Sequence, residues 1–354
     1  MTTVPPPPLQ ALEALVRRVA PSGAPLAAVE MPGGASTRRF FRVRLEPGRS
    51  AVAMWLPDAA RPDEIAKVRE GGRPWPFLEV RALLCEHGVR VPAIVAEACE
   101  DGLLLVEDLG DDTLARFIAR EPGARERLYV KAVADLARAQ DVLANLPKGS
   151  IVLERAFDED LLRWEVDHFR QWALEARGVV LDGARRVVFD RAAAHLARTV
   201  AGWPRGFVHR DYQSRNLMVV KGAGSELQLA WIDFQDALLG PRVYDLVALL
   251  GDSYQIFDRA FIEARLDEYA TLRSLGADER TVVGREFDIV TVQRKLKDAG
   301  RFVFIDREKG NPGFLEFVEP TIEKARSALA RLKDDEILAA LSRLLDDLFG
   351  ARAA

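Results

Sequence analysis

Strand-forming runs are crowded into the first third of this chain, and that segregation most limits the folds open to it. Between residues 25 and 108 the short β-rich runs are Leu26–Met31, Phe40–Leu45, Ala51–Leu56 and Leu103–Glu107. Pro32-Gly33-Gly34 and Pro47-Gly48 separate the first three as turns, and one helical stretch over 62–88 ends near Gly88. Residues 113–201 carry apolar stripes at helical spacing instead: Leu128, Val130, Val133, Leu136 and Ala137, then Leu161, Leu162, Trp164 and Phe169. A second, smaller β patch follows at Phe207-Val208, Leu217–Val220 and Leu227–Ile232, and from Asp236 the pattern is helical to the end. Strands first and helices later predict an α+β chain with a small β-rich lobe and a larger helical one. The expected division is 1–24 for a proline-rich leader (Pro5 to Pro8) and a helix on Leu9, Leu12, Leu15, Val16 and Val19, 25–110 for the β-rich lobe, and 111–354 for the helical lobe with its β insert.

Composition removes several function classes. A net charge of −4 lacks the basic excess of a nucleic-acid binder. No run of 18 apolar residues predicts a membrane span, and the proline-rich start has no basic n-region or apolar h-region of a secretory signal. Cys85 and Cys99 are too few for a disulfide framework, and no histidine is spaced to share a metal with them, so they are expected as reduced core residues of a cytoplasmic protein. Neither a coiled coil nor an evident interface patch sets an oligomeric state.

The chemistry concentrates in two segments. Val208-His209-Arg210-Asp211-Tyr212-Gln213-Ser214-Arg215-Asn216-Leu217 holds H-R-D with an Asn five residues after the Asp, and Trp231-Ile232-Asp233-Phe234-Gln235 places an Asp twenty-two residues after Asp211. Together they match the catalytic-loop and metal-loop pattern of protein-kinase-like enzymes. Phosphoryl transfer needs an aligned nucleophile and cations to neutralise phosphate charge. Asp211 is the carboxylate expected to accept or orient the proton of an incoming hydroxyl. Asn216 offers a neutral oxygen and Asp233 an anionic one to Mg2+, a hard cation. Paired strands over Leu217–Val220 and Leu227–Ile232 would bring those two ligands together. His209 reads as a structural brace of the loop.

Asp233 is followed by Pro241-Arg242-Val243-Tyr244-Asp245-Leu246, and this G-P-x-x-Y-D-L tail resembles the aminoglycoside phosphotransferase and choline kinase group. The resemblance covers roughly 25–320 and implies a two-lobed protein-kinase-like fold, ATP and Mg2+ as cofactors, and an Asp245 that braces the catalytic loop from the first turn of a helix. A narrower similarity rests on Arg210–Met218, on Ile232–Leu238 and on Gln293-Arg294-Lys295-Leu296-Lys297-Asp298-Ala299-Gly300. These segments resemble the bacterial kinases that phosphorylate the anomeric hydroxyl of N-acetylmuramate and N-acetylglucosamine in peptidoglycan recycling. Alternatives of the same fold are an aminoglycoside, amino-alcohol or other small-metabolite kinase; a catalytically silent nucleotide-binding module is the alternative of another class.

On the nucleotide side, Leu103–Gly110 reads as a strand running into a hinge, where Glu107 and Leu109 are named by position because adenine pairs with backbone there. Pro32–Phe40 lies between two strands, and its small residues let backbone approach phosphates, with Ser36, Arg38 and Arg39 as the candidates. One departure stands out: Ala51–Leu56 lacks the phosphate-binding Lys that kinase-like folds place on the third strand. Arg38, Arg39 or Arg42 is expected to replace it, and Glu79 is the candidate for that lysine's usual partner, left without one. On the acceptor side, Asp236 is a candidate for a sugar hydroxyl, and Arg215 and Arg242 for an acidic group such as a lactyl carboxylate. Trp164, Phe169 and Trp172 are expected in the core, and Asp158-Glu159-Asp160 as a helix start.

Overall fold

The computed structural model describes residues 9–20, 27–32, 38–56, 75–222, 224 and 226–350. Two compact units emerge, one of Met1–Asp112 with Met218–Asp236, the other of Thr113–Leu217 with Ala237–Ala354.

The first unit is built on an antiparallel five-stranded sheet in the order β1-β2-β3-β5-β4. Its strands are β1 (Ala28–Glu30), β2 (Arg39–Glu46), β3 (Arg49–Trp55), β4 (Ile94–Ala98) and β5 (Leu103–Glu107), with α1 (Leu9–Val19) before them and α2 (Pro76–Glu86) between β3 and β4. Strand alternation explains the layering: Phe41, Val43 and Leu45 of β2 are buried while Arg42 and Arg44 turn to the other face. Phe41 pairs with Ala53 and Val43 with Ala51, so one face presents a continuous apolar surface. Leu12, Leu15 and Val16 of α1 cover it with Trp55, Leu103 and Leu105, and each such side chain contributes about 1.5–3 kcal/mol on burial. The expected helix over 62–88 is seen as Pro76–Glu86; residues 62–74 lie outside the described residues.

Two strands joined to this unit came with the helical lobe in the sequence reading. Here β7 (Leu217–Lys221) and β8 (Leu227–Trp231) form a two-stranded sheet, with β6 (Arg205–Val208) lying before them in the chain. Val219 N–H donates to the Asp112 carbonyl at 2.7 Å, Trp231 N–H to the Arg90 carbonyl at 2.8 Å, and Phe234 stacks on Phe77 at 4.9 Å. These contacts assign Met218–Asp236 to the first unit.

The second unit is helical: α3 (Leu114–Arg120), α4 (Arg125–Val142), α5 (Glu159–His168), α6 (Gly183–Ala201), α7 (Tyr244–Leu250), α8 (Arg259–Leu272), α9 (Ala277–Lys309), α10 (Val318–Leu329) and α11 (Glu336–Phe349). Side-chain caps start many of them: Thr113, Asp158, Asp182, Asp258 and Asp335 each accept a first-turn N–H. The acidic run at Asp158 is therefore a helix start, as expected. Helix α9 has 33 residues, a span of about 50 Å, and forms the axis of this unit. A π-helical turn, Phe169–Leu174, extends α5 and packs against it. Gly300 permits that approach, because a Cβ there would lie 2.5 Å from the His168 carbonyl oxygen.

Three local expectations fail. The chain after Asp236 is not helical throughout: β9 (Leu238–Pro241) pairs with β6, Phe207 opposite Leu239. Its four residues are too short to break a helical pattern visibly. Cys85 is exposed and Cys99 half-buried, so neither belongs to the core. Trp164 is 43% exposed on α5, whereas Phe169 is fully buried.

Candidate active site

The loop after β6 is held from several sides within the second unit. Phe207 and Val208 are buried strand residues, and the chain then turns through Arg210 at a φ of 79°, a conformation that costs a non-glycine residue about 1–3 kcal/mol. Asp245, in the first turn of α7 and fully buried, accepts the His209 N–H at 2.7 Å and the Arg210 N–H at 3.0 Å. Arg294 of α9 donates to the Arg210 carbonyl at 2.6 Å, and the Arg210 guanidinium reaches Glu165 at 3.4 Å. Gln293 donates to the other Glu165 oxygen at 2.8 Å. Backbone and side chain of the strained residue are thus both pinned. Burial pushes Asp245 up to about 7, against the two amides and Arg294, which favour its ionised form.

Asp211 follows directly. Arg294 Nη2 lies 3.1 Å from its Oδ1, and its side chain remains about one-third exposed, at 32%. Burial raises its affinity for a proton, but the positive charges of Arg294, Lys297 and Arg210 outweigh it and hold the carboxyl below the usual range. Asp211 N–H donates to His209 Nδ1 at 3.3 Å, so the histidine acts on the loop's geometry. Asn216 Nδ2 donates to the Asp211 carbonyl at 2.9 Å, which leaves Oδ1 as the outward atom of that amide. Ser214 anchors the loop's far end: its N–H, at 2.9 Å, and its hydroxyl both donate to buried Asp252.

In the first unit, Asp233 follows β8 by two residues with a φ of 63°, a left-handed conformation that Asp tolerates better than most residues. Its Oδ1 accepts from Arg38 Nη2 and from Gln235 Nε2, each at 3.0 Å, and its side chain is 42% exposed. Gln235 also donates to Asp236 at 3.1 Å. The three arginines proposed to replace the missing lysine take different partners. Arg39 makes a two-pronged pair with Glu30, 2.7 Å at each contact, and lies over Phe41 and Trp55. Arg42 bridges Asp108 at 2.7 Å and Asp111 at 2.9 Å. Arg38 meets Asp233. Ser36 lies outside the described residues. Glu79 sits in α2 and, contrary to expectation, is not left without a partner.

The end of β5 is ordered by carboxylates. Glu107 closes β5, and its side chain accepts from Arg90 and, at 3.0 Å, from the Ala93 N–H. Burial opposes its ionisation, yet Arg90 and that amide keep its carboxyl below the ordinary range. Asp108 accepts from Arg42, from Ser50 at 2.6 Å and from the Gly110 N–H at 3.0 Å. Leu109 follows them, half-buried, beyond the last strand pair at Glu107.

The two acceptor-side arginines separate. Arg242 pairs with Glu286 of α9 at 2.8 Å, and Glu286 lies eight residues, about 12 Å along the helix, from Arg294 at Asp211. Arg242 is therefore a brace of the β9 end. The Arg215 guanidinium lies over Tyr254, its carbon 3.4 Å from the ring centroid. Arg294, Glu165, Gln293, Ser214 and Asp252 were not singled out as site residues from the sequence. Gln293, Arg294 and Ser214 lay within quoted segments but were given no role there, and Glu165 and Asp252 carried no motif signal, because their partners are distant in the chain.

Comparison with known proteins gives the family of the chain. Residues 28–280 match the model of the phosphotransferase enzyme family, and the chain belongs to that family; it is an ATP-dependent small-molecule kinase. It is similar to the N-acetylmuramate/N-acetylglucosamine kinase of Pseudomonas aeruginosa, 35% identical over 321 residues, 89% of this chain and 86% of the relative. The Pseudomonas putida protein of the same name is 31% identical over 90% of this chain and 88% of its own. In fold it resembles a microcompartment-associated aminopropanol kinase, with a TM-score of 0.60 at 17% identity over 90% of this chain and 97% of that one. The GDP complex of wild-type aminoglycoside 2'-phosphotransferase-IIIa gives a TM-score of 0.58 at 12% identity, over 90% and 99%.

Proposed function

We propose that this kinase moves the γ-phosphoryl group of ATP onto the anomeric hydroxyl of an N-acetylated amino sugar, N-acetylmuramate or N-acetylglucosamine. The observation that carries the reading is Asp211, held ionised beside Arg294 on a loop braced by Asp245. A carboxylate so placed accepts the proton of the attacking hydroxyl, worth about 10²–10⁴-fold in rate. The sugar follows from the printed activity of the relatives and their coverage of nearly the whole chain.

Asn216 Oδ1 and the Asp233 carboxylate would hold Mg2+. The donor set fits: both are oxygen ligands, and the hydrogen bonds at Asn216 Nδ2 and Asp233 Oδ1 leave Asn216 Oδ1 and Asp233 Oδ2 available. When bound, magnesium would neutralise charge on the phosphates. Arg38 orients Asp233, while the backbone at Glu107 and Leu109 would meet the adenine and Ser36 the phosphates. Arg39, held by Glu30, contributes through the strand it stiffens. Asp236 and Arg215 would face the acceptor; Arg242 is left out of that set. His209 and Asp245 serve the loop. A kinase of this kind would return cell-wall amino sugars to metabolism in the cytoplasm, where ATP is supplied.

The test is a transfer assay with N-acetylmuramate, N-acetylglucosamine, choline and kanamycin as acceptors. The amino sugars should exceed the others by orders of magnitude in kcat/KM, and Asp211→Asn should lose at least about 10²-fold while still binding ATP. Preference for kanamycin or choline would overturn the acceptor, and ATP binding without turnover of any acceptor would favour a silent module.

A further inference from the structure

We infer that Arg215 reads a carboxylate on the acceptor and so favours an acidic N-acetylated sugar over a neutral one; this rests on the acceptor reading above. Two arginines flank Asp211 in the loop, and their surroundings are opposite. Arg210 is buried, with its guanidinium on Glu165. Arg215 is exposed, and among the described residues it makes neither an ion pair nor a hydrogen bond. It stands four residues beyond Asp211 and one before Asn216.

The side chain is nonetheless placed. Its guanidinium carbon lies 3.4 Å from the Tyr254 ring centroid and 5.5 Å from that of Phe317. Stacking of this kind uses the face of the guanidinium and leaves its N–H edge open for two parallel bonds to a carboxylate. The platform is itself fixed. Tyr254 meets Phe317 edge-on at 4.9 Å, and its N–H donates to Asp252 Oδ1 at 3.0 Å. Asp252 Oδ2 receives Ser214, the residue before Arg215, so one buried carboxylate positions both the loop and the ring beneath the guanidinium. Burial pushes the Tyr254 hydroxyl well above its ordinary range, and the charges it feels include both Arg215 and Asp211. The stacked guanidinium and the base thus share one electrostatic neighbourhood within this unit. Held on a ring, Arg215 loses little side-chain freedom on binding an anion.

N-acetylmuramate carries a lactyl carboxylate and N-acetylglucosamine does not. A charged partner gains more from a guanidinium than a hydroxyl does. Steady-state kinetics of wild type, Arg215→Met and Arg215→Lys with both sugars, and with ATP varied, test the assignment. In Arg215→Met the ratio of kcat/KM for N-acetylmuramate to that for N-acetylglucosamine should fall about 10-fold, through KM for the acidic sugar. Arg215→Lys should keep part of the preference, having the charge without the fork. Arg215→Gln repeats the measurement should the methionine variant melt early. Equal loss for both sugars, a rise confined to KM for ATP, or no change in the ratio would overturn this inference alone. Failure of the wild type to phosphorylate either sugar would overturn the acceptor reading and this inference together.

Discussion

The loop around Asp211 and the arginine-bearing β2 region of the β-rich unit hold charge in opposite ways. Around Asp211 the partners are buried: Arg294, Glu165 and Asp245 are 2% exposed or less, and each serves more than one polar group. On β2 and just before it the arginines meet carboxylates one on one or in pairs, with Glu30 and Asp111 more than half exposed and the Asp108 side chain largely buried. Exposed ion pairs contribute about 0–1 kcal/mol, whereas breaking one partner of a buried pair costs about 3–5 kcal/mol. The loop carrying Asp211 is therefore clamped in one geometry, while the pairs at Glu30 and Asp111 exchange partners cheaply.

Arg294 offers the strongest attempt to break that contrast. Arg294→Met should lower kcat/KM by about 10²-fold, because Asp211 loses both its cation and the anchor of the preceding carbonyl. Removing that cation lets burial push the Asp211 carboxyl upward, so the acid limb of the kcat/KM profile should move to higher pH. Arg294→Lys should return the limb toward its original position. An unmoved limb in a folded methionine variant would separate Arg294 from the base.

A smaller effect belongs to the arginines at the start of β2. Arg38→Met should raise KM for ATP about 10-fold, by freeing the Asp233 carboxylate from its guanidinium, while Arg39→Met changes it about 2-fold or less. Comparable losses in both would mean that the arginines are not sorted by their partners.

The last probe concerns stability rather than turnover. Burial, helped by Arg301 and Lys297, pulls His168 down to about 4, so it is neutral in the folded protein at pH 6. A lowered histidine stabilises the fold above its unfolded pKa of 6.5, and that contribution is lost as pH falls from there through about 4. The difference of about 2.5 units corresponds to roughly 3 kcal/mol. Denaturant unfolding at pH 7 and pH 4 should show His168→Phe losing less stability on acidification than wild type. Equal acid sensitivity would place the acid-labile groups elsewhere.

Much of the site could be read before the fold was seen, and the reason is local. Asp211, Asn216, His209 and the tail Asp245 sit within short motifs whose spacing the chemistry dictates, and apolar strand runs flank them. The strands carrying Phe41, Val43 and Leu45 or Leu103 and Leu105 were visible from alternation and turn residues, since neighbours in the chain write that pattern. Strand β9 was missed because four residues give too little period, and β4 because its pairing with β5 is decided by packing. The roles of Arg38, Arg39 and Arg42 could not be told apart, because three arginines within five residues look alike until each meets its carboxylate.

By itself, the amino-acid order determined the reaction class and the division between strand-rich and helix-rich chain, and it pointed to Asp211, Asn216 and Asp233 as the residues of the proposed site. Tertiary structure alone decided what surrounds Asp211: Arg294 arrives from 83 residues away, Glu165 reaches the neighbouring Arg210 from 45, and Tyr254 lies beneath Arg215. Motifs record the groups that touch a substrate, because their spacing is short-range. The field and rigidity around them come from side chains that only folding makes neighbours, and no local pattern encodes that.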